Sequence, residues 1–184
     1  MIILRNIEDL KKAINKIKNI GFVPTMGGFH DGHISLIKKS IKKSHKTLVS
    51  IYVNPTQFNS SKDFKKYPRQ INRDLNILRK LCVDFVFLPK TNEIYQKKRG
   101  KKIMLKKRDI ILCAKHRKGH FEGVIDVVDR LLNLIKPTSL FMGEKDFQQL
   151  HLIKKYLLKK YKTKIYPCKT IRNKYQVALS TRNF

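Results

Sequence analysis

Two histidines, His30 and His33, close a glycine-rich turn that follows an apolar run of the chain. Apolar Ile34, Ile37 and Ile41 recur behind them at helical spacing, which predicts a strand, a turn and then a helix. The first turn of a helix offers unpaired backbone N–H groups and the positive end of the helix dipole, and both favour an anion. The two imidazoles would lie on one face of that turn. The pattern predicts a phosphate site and is typical of nucleotide chemistry.

The other residues of the turn help to decide whether the histidines form a phosphate site, a metal site or part of a polar surface. Gly27, Gly28 and Gly32 would let the backbone approach a ligand closely. Two histidines at this spacing could instead be metal ligands or polar surface residues. No cysteine is near them, and the nearest carboxylate, Asp31, lies between them and points elsewhere. Metal binding is therefore the weaker interpretation.

Strands and helices are predicted to alternate along the chain. Apolar residues at helical spacing predict helices at residues 7–17, 34–41, 71–81, 123–135 and 147–158. Continuous apolar runs predict strands at residues 20–23, 48–53, 84–88, 140–142 and 164–168. This alternation indicates an α/β fold with a doubly wound parallel sheet that helices cover on both faces.

A polar segment with special backbone requirements follows each of four predicted strands. These segments are Pro24-Thr25-Met26-Gly27, Asn54-Pro55-Thr56-Gln57, Leu88-Pro89 and Gly143-Glu144-Lys145-Asp146. In a doubly wound sheet they meet in the crevice outside the carboxyl ends of the strands, where ligands bind. The sequence therefore predicts one site that is built from distant parts of the chain.

Length and composition indicate one domain. The chain has 184 residues, of which 41% are hydrophobic, and this is enough to bury the core of a single domain. No apolar stretch approaches the length of a membrane span, and Glu8 and Asp9 do not fit a signal peptide. We therefore expect a cytoplasmic protein with no membrane partner. Cys82, Cys113 and Cys168 are odd in number and far apart, so we expect reduced thiols rather than disulfides or a zinc site.

The formal charge of +29 could indicate a nucleic-acid-binding protein, because lysine and arginine bind phosphates. The lysines, however, occur in nearly every segment rather than in one stripe interleaved with aromatic residues. A solvated surface explains this distribution more simply, and the same holds for the runs Lys97-Lys98-Arg99 and Lys106-Lys107-Arg108. We expect nucleic acid to bind only non-specifically, at low salt.

Five segments, in order along the chain, form the pattern of a known family. They are Val23-Pro24-Thr25-Met26-Gly27 through His33; Val53-Asn54-Pro55-Thr56-Gln57-Phe58 with Tyr67-Pro68-Arg69; Gly119-His120-Phe121-Glu122-Gly123-Val124; Phe141-Met142-Gly143-Glu144-Lys145-Asp146-Phe147-Gln148-Gln149; and Leu179-Ser180-Thr181-Arg182-Asn183. The pattern spans nearly the whole chain and resembles the pantoate–β-alanine ligase (pantothenate synthetase) family.

The resemblance implies a fold, a reaction and partners. The fold is a Rossmann-like domain of the nucleotidylyltransferase type over residues 1–184, which binds ATP and pantoate. In the reaction, ATP and pantoate give pantoyl adenylate and pyrophosphate, after which β-alanine attacks the acyl carbon and releases AMP. Mg²⁺ is expected because triphosphate chemistry normally needs a hard cation, although no ligand for it is assigned. A homodimer is also expected.

The resemblance further implies roles for individual residues. His33 is the proton donor, and Gln57 and Gln149 contact pantoate, with Gln57 also bordering β-alanine. The residues expected at ATP are Met26, Gly27, Gly28, Phe29, His30, Asp31, Gly32, His33, Gly143, Glu144, Lys145, Asp146, Ile171, Leu179, Ser180, Thr181 and Arg182. His120 has no derived role, and we interpret it as a structural histidine at a helix start.

The sequence also departs from the family pattern. Gly28, Phe29 and Asp31 stand where the family usually has alanine, leucine and glutamate, and Thr181 replaces the second serine of the last segment. Residues 174–176, Lys-Tyr-Gln, replace a turn that usually contains glycine, so a bulky residue would have to adopt an unfavourable backbone conformation there.

Two further expectations concern what accompanies this domain. The family continues into a second domain of about 100 residues that acts as a lid, and we expect the chain to lack it. Two other functions stay open: another nucleotidylyltransferase that uses the same histidine turn, and a non-catalytic remnant that binds nucleotides or polyanions.

Overall fold

The computed structural model describes residues 1–95 and 103–183, and the basic run at 97–99 lies outside them. Six strands form one parallel sheet in the order β1-β4-β3-β2-β5-β6. They are β1 (Ile2–Leu4), β2 (Ile20–Thr25), β3 (Lys46–Ile51), β4 (Phe85–Phe87), β5 (Ser139–Gly143) and β6 (Lys164–Cys168).

Eight α-helices join these strands within the described part of the chain. They are α1 (Ile7–Ile14), α2 (Asp31–Lys43), α3 (Ser61–Lys66), α4 (Ile71–Lys80), α5 (Thr91–Ile94), α6 (Cys113–His116), α7 (His120–Ile135) and α8 (Phe147–Leu157). Short 3₁₀ turns stand at Pro55–Gln57, Lys107–Asp109, Glu144–Asp146 and Thr181–Asn183. In the described residues, no helix is long and apolar enough to span a bilayer.

The order of the strands fixes where a ligand can enter. From β2 the chain moves outward through β3 to β4, and it then returns to the opposite side of β2 to form β5 and β6. The direction of winding therefore changes between β2 and β5. In open α/β sheets the crevice at such a switch point, outside the carboxyl ends of the strands, is the usual ligand site.

The core lies on both faces of the sheet because successive side chains of a strand point to opposite sides. Phe22 and Leu48 pack on the face that α7 covers, in one cluster with Ile125. Their neighbours Val23 and Val49 pack on the other face, in a second cluster that is closed by α2 and α4. Burial on both faces explains why the strands are continuously apolar instead of alternating.

The predicted parallel α/β architecture is confirmed, with shifts at the ends of elements. The first helix ends at Ile14 rather than at residue 17, and its start is capped by Asn6, whose side chain accepts from the Asp9 amide at 2.8 Å. Helix α7 begins at His120, three residues before the prediction. Strand β1 and the four-residue helices were not predicted, because three or four residues are too few for a periodic pattern.

Candidate functional site

A cleft of about 250 Å³ opens at the carboxyl ends of β2 and β5, at the switch point of the sheet. Most of the residues predicted for the site line it, although they come from five separate segments. They are Met26, His30, Gly32, His33, Gln57, Gly143, Lys145, Asp146, Gln149, Ile171, Leu179, Ser180, Thr181 and Arg182. The predicted residues that do not line it are Gly27, Gly28, Phe29, Asp31 and Glu144.

The glycine turn between β2 and α2 carries two consecutive left-handed residues, Gly27 at φ 81° and Gly28 at φ 65°. Such conformations are readily adopted by glycine alone. The amides of Gly28 and Phe29 donate to the two carboxylate oxygens of Asp74, at 2.8 and 3.0 Å. We expected the open amides of this region to face a ligand. Two amides of the turn instead have a partner within the protein, and the Phe29 side chain lies in the core.

The two histidines stand at the start of α2, as predicted. His30 is the N-cap, and its Nδ1 accepts from the Gly32 amide at 3.1 Å. That bond requires an unprotonated Nδ1, so the proton of the neutral ring is on Nε2. The ring of His33 lies 4.2 Å from that of His30 and 5.5 Å from that of Phe29. The Nδ1 of His33 is buried and has no hydrogen-bond partner in the described structure.

Both imidazoles are poor bases in this environment. Burial, with smaller contributions from His30 and Lys145, lowers the pKa of His33 to about 3. Burial and then Lys145 also lower the pKa of His30. Both rings are therefore neutral at pH 7 in the unliganded protein, and they can donate N–H hydrogen bonds without carrying charge.

Lys145 brings a positive charge close to the two histidines. It lies in the 3₁₀ turn that follows β5, lines the cleft and is close enough to affect both histidines. Its Nζ lies 3.9 Å from a carboxylate oxygen of Asp146, which also lines the cleft. An ammonium beside two neutral imidazoles forms a site suited to a polyanion.

Gln57 is oriented by a buried asparagine. Asn54 donates from Nδ2 to Gln57 Oε1 at 3.2 Å and to the backbone oxygen of Gly123 at 3.2 Å. The Gln57 Nε2 donates to the sulfur of Met26 at 3.0 Å, across the mouth of β2. The amide group of Gln57 thereby has a defined orientation beside the glycine turn.

Helix α7 supplies the apolar wall of the cleft. Val124, Val127, Val128 and Leu131 share one face of the helix and line the cleft, and the predicted Gln149 lies at the start of α8 in the same cleft. Gly123 allows the close approach of α7, because a Cβ there would lie 2.3 Å from the backbone oxygen of Thr56.

A tight turn leads from β6 to the last predicted segment. The Asn173 amide donates to the Val177 carbonyl at 2.9 Å, and the Gln176 amide donates back to the Asn173 carbonyl at 3.0 Å. Gln176 has φ 61°, the conformation that glycine prefers. The turn is therefore kept although no glycine is present, and the strain lies on one glutamine.

Gly28 and Thr181, at which the sequence departs from the family pattern, contact each other. The Thr181 hydroxyl donates to the Gly28 carbonyl at 3.1 Å, and a Cβ on Gly28 would lie 2.3 Å from the methyl carbon of Thr181. Arg182, the following residue, donates to Asp63 at 3.0 Å and lies over the ring of Tyr67. The last segment thus closes directly against the glycine turn.

Sequence reasoning missed several residues of the site. Asp74 and Asn54 are buried polar residues behind the site, whereas Arg117 and His120 line the cleft itself. His120 is the first residue of α7, in keeping with its interpretation as a structural histidine, and its Nδ1 donates to the Gln57 carbonyl at 2.6 Å. The acid in the first turn of a helix and the asparagine before a proline are weak signals, because both residues commonly cap local structure.

Within the described ranges, no three histidine, cysteine or acidic side chains converge in a way that could hold a metal ion. The expectation of Mg²⁺ thus stays a prediction.

The parallel sheet, its central switch point and the cleft there define a Rossmann-like α/β protein. The family model for pantoate–β-alanine ligase matches residues 2–184. Pantothenate synthetase of Pseudothermotoga lettingae is 41% identical over 187 residues, which cover all of this chain and 66% of that protein. The enzyme of Francisella philomiragia is 46% identical over 188 residues and is covered to 72%. The chain belongs to the pantoate–β-alanine ligase family.

Solved structures agree with this assignment. The pantoate–β-alanine ligase of Francisella tularensis, whose crystal structure is a complex with β,γ-ATP and β-alanine, has a TM-score of 0.96 and 45% identity. All of this chain and 72% of that one are covered. The enzyme of Thermus thermophilus has a TM-score of 0.94 at 32% identity, with 67% of it covered. The chain thus spans about two thirds of the length of these relatives.

Proposed function

We propose that this chain binds ATP and pantoate in the cleft and joins pantoate to β-alanine, through pantoyl adenylate, to give pantothenate, AMP and pyrophosphate. One observation carries the proposal: His30, His33, Lys145, Gln57 and Gln149 line one cleft, although they come from distant parts of the chain. A relative that is 45% identical was crystallised in complex with β,γ-ATP and β-alanine, which supports ATP and β-alanine as ligands here.

The triphosphate would lie against the start of α2. Lys145 supplies an ammonium, and His30 and His33 supply N–H donors to phosphate oxygens. Ser180 and Arg182 also line the cleft and would hold the pyrophosphate as it leaves. Ile171 and Leu179 give apolar contact nearby, in keeping with a place beside the adenine.

Pantoate would lie between the two glutamines and α7. An amide offers a donor and an acceptor together, which suits an acid that presents hydroxyls and a carboxylate. The carbon that bears the two methyl groups of pantoate is apolar, and the valines of α7 provide a matching surface. Gln57 would also border β-alanine, which has to approach the acyl carbon from this side.

The reaction would proceed in two steps. A carboxylate oxygen of pantoate attacks the α-phosphorus, the bond to the bridging oxygen breaks, and pyrophosphate leaves. The amine of β-alanine then attacks the acyl carbon, loses a proton, and AMP leaves. His33 is the proposed proton donor. Since its pKa is about 3 in the unliganded protein, the negative charge of a bound polyphosphate is needed to raise that pKa before His33 can release a proton near neutral pH.

Magnesium fits this site as an ion that the nucleotide brings with it. Mg²⁺ commonly keeps several waters and binds through one or two carboxylates and substrate phosphates. Asp146 is the carboxylate that lines the cleft within the described residues, and it could contribute one ligand. The ion would neutralise phosphate charge.

The decisive experiment measures AMP release from the purified chain with ATP, pantoate and β-alanine, each omitted in turn. The proposal requires release that depends on all three, and pantoate-dependent exchange of pyrophosphate into ATP without β-alanine. Another nucleotidylyltransferase would show no dependence on pantoate. A remnant would bind ATP without turnover, and high salt would abolish that binding whether or not pantoate is present.

We further propose that residues 1–184 form one domain that binds both ATP and pantoate, and that the chain forms a homodimer. A group of exposed apolar side chains, Ile110, Ile111, Leu112 and Phe147, supports self-association. The Gln148 side chain donates to the Ile111 carbonyl at 2.7 Å and holds two of these segments together. A molar mass of twice 21.7 kDa by light scattering is expected, and the mass of one chain would contradict it.

A further inference from the structure

We propose that Asp74 is a positioning residue of the nucleotide site, which holds the glycine turn in the form that places His30 and His33 at the cleft. The inference rests on the proposed function, because it assumes that ATP binds beside these histidines. Asp74 lies in the first turn of α4 and is 1% exposed. No ion pair of its carboxylate is found in the described ranges.

The carboxylate of Asp74 is directed at the turn. Its two oxygens accept from the consecutive amides of Gly28 and Phe29, at 2.8 and 3.0 Å. Consecutive amides beside residues of positive φ form a concave anion site of the kind that binds phosphate in other proteins. Here the chain's own carboxylate fills that site. Phosphate must therefore be held by other groups, of which His30, His33 and Lys145 line the cleft.

The missing side chain of Gly27 makes room for this carboxylate. A Cβ on Gly27 would lie 2.7 Å from an oxygen of Asp74 and 3.0 Å from a side-chain carbon of Ile51. Gly27 and Asp74 thus form one unit, in which a glycine is required both for its φ of 81° and for space. The Gly28 peptide is held at both of its polar groups, since its carbonyl accepts from Thr181.

The consequence for the site follows from the order of the chain. Phe29, the second residue held by Asp74, directly precedes His30, the N-cap of α2. Glycines lose more conformational entropy than other residues when they are fixed, so a turn with two of them needs strong contacts to stay in place. Two buried hydrogen bonds to a charged acceptor provide them. Asp74 therefore fixes the point from which both imidazoles extend.

The test compares Asp74→Asn with Asp129→Asn. Asp129 is a second buried aspartate, 4% exposed, whose carboxylate accepts from Lys160 and Tyr161, and it does not line the cleft. The dissociation constant of a non-hydrolysable ATP analogue is measured by calorimetry at fixed salt, together with the melting temperature of each variant.

The direction of the change in affinity distinguishes a positioning role of Asp74 from the effect of its negative charge. Asparagine removes a negative charge beside a site for polyphosphate, so electrostatics alone would tighten binding of the analogue. Asparagine also places an NH₂ group against one of the two amides and loosens the turn. We expect Asp74→Asn to weaken binding by about tenfold or more and Asp129→Asn to change it by less than about twofold. A folded Asp74→Asn protein that binds the analogue as tightly as the wild type overturns the inference.

A second measurement, on the wild type, tests the inference even if Asp74→Asn does not fold. In the wild type, hydrogen exchange of the Gly28 and Phe29 amides is followed by NMR with and without the analogue. Slow exchange of both amides in the free protein is expected, and exchange at loop rates would overturn the inference. If the wild type does not bind the analogue at all, the proposed function fails instead, which keeps the two failures distinct.

Discussion

At the scale of single residues, the site joins groups whose ordinary chemistry is changed by their surroundings. His33 is a neutral imidazole whose buried Nδ1 has no hydrogen-bond partner among the described residues, and Lys145 places a positive charge beside it. Gln57 is an amide whose orientation is set by the buried Asn54. Replacement of His33 or Gln57 should thus change activity or ligand binding more than it changes the stability of the fold.

His33→Ala should lower pantoate-dependent pyrophosphate exchange by about 100-fold or more, because an N–H donor to the phosphates is lost. His45→Ala, at an exposed position before β3, is the matched control and should keep full exchange. Circular dichroism and the melting temperature report whether the fold is kept. Unchanged exchange in a folded His33→Ala protein would remove this residue from the mechanism.

Gln57→Ala should weaken the binding of pantoate by about tenfold or more and the binding of ATP much less, because the lost amide hydrogen bonds are to the hydroxy acid. Calorimetric titrations with each ligand separately give the two affinities. Gln70→Ala, on the exposed residue before α4, serves as the control. Equal losses for both ligands would contradict the assignment of Gln57.

At the scale of elements, the cleft depends on how turns and helix starts are packed together. The turn between β2 and α2 touches the last segment through Gly28 and Thr181, and α7 touches the Pro55–Gln57 turn through Gly123. Each contact is so close that one added methyl group would have to displace backbone or a neighbouring side chain. A substitution in one of these elements should therefore also disturb the element that it contacts.

Gly28→Ala should destabilise the protein by about 2 kcal/mol, because alanine is strained at φ 65° and its Cβ meets the Thr181 methyl. Adding Thr181→Ser removes that methyl but keeps the hydroxyl, and should recover about 1 kcal/mol of the loss. Urea unfolding of both single variants and the double variant measures the coupling. Strictly additive effects would show that the contact does not exist.

Gln176→Gly should stabilise the turn before the last segment by up to about 1 kcal/mol, because glycine adopts φ 61° without strain. Lys174→Gly, in the same turn but without a positive φ, should stabilise nothing and serves as the comparison. The melting temperatures of the two variants decide. A lower value for Gln176→Gly than for the wild type would contradict the turn described here.

At the scale of the whole molecule, histidines that are partly or fully buried link stability to pH. Burial is the main cause that lowers the pKa of His30, His33 and His120. The unfolded chain takes up protons near pH 6.5, whereas the folded chain does not, so their contribution to stability is complete above that pH and declines below it. For His33 the decline continues down to about pH 3.

The free energy of unfolding in urea should therefore fall between pH 7.5 and pH 5, and His33→Gln should make that fall smaller. His151→Gln, at an exposed position on α8, should leave the pH dependence as it is in the wild type. An identical pH dependence in the wild type and in His33→Gln would show that His33 is not held neutral by the fold.

The sequence alone determined the alternation of strands and helices and the segments that meet at the site. Near-continuous apolar runs such as Leu48 to Ile51 report burial on both faces of a sheet, and the helical spacing of Ile34, Ile37 and Ile41 predicted helix α2, in which Ile37 is buried but Ile41 is exposed. These patterns lie within single segments of the chain, so they can be recognised without knowing which elements pack together. The convergence of Met26, Gln57 and Lys145 followed from one topological rule.

Tertiary structure alone decided what each group touches. Nothing near Asp74 in the sequence shows that its carboxylate fills the space beside Gly27, and nothing near Thr181 shows that its methyl faces Gly28. Such contacts join residues 46 and 153 positions apart, and they depend on packing distances of a few tenths of an ångström. The expectation that the amides of the glycine turn face a ligand failed for Gly28 and Phe29 for the same reason. The sequence shows which hydrogen-bond donors exist, whereas only the folded chain shows which of them already have a partner.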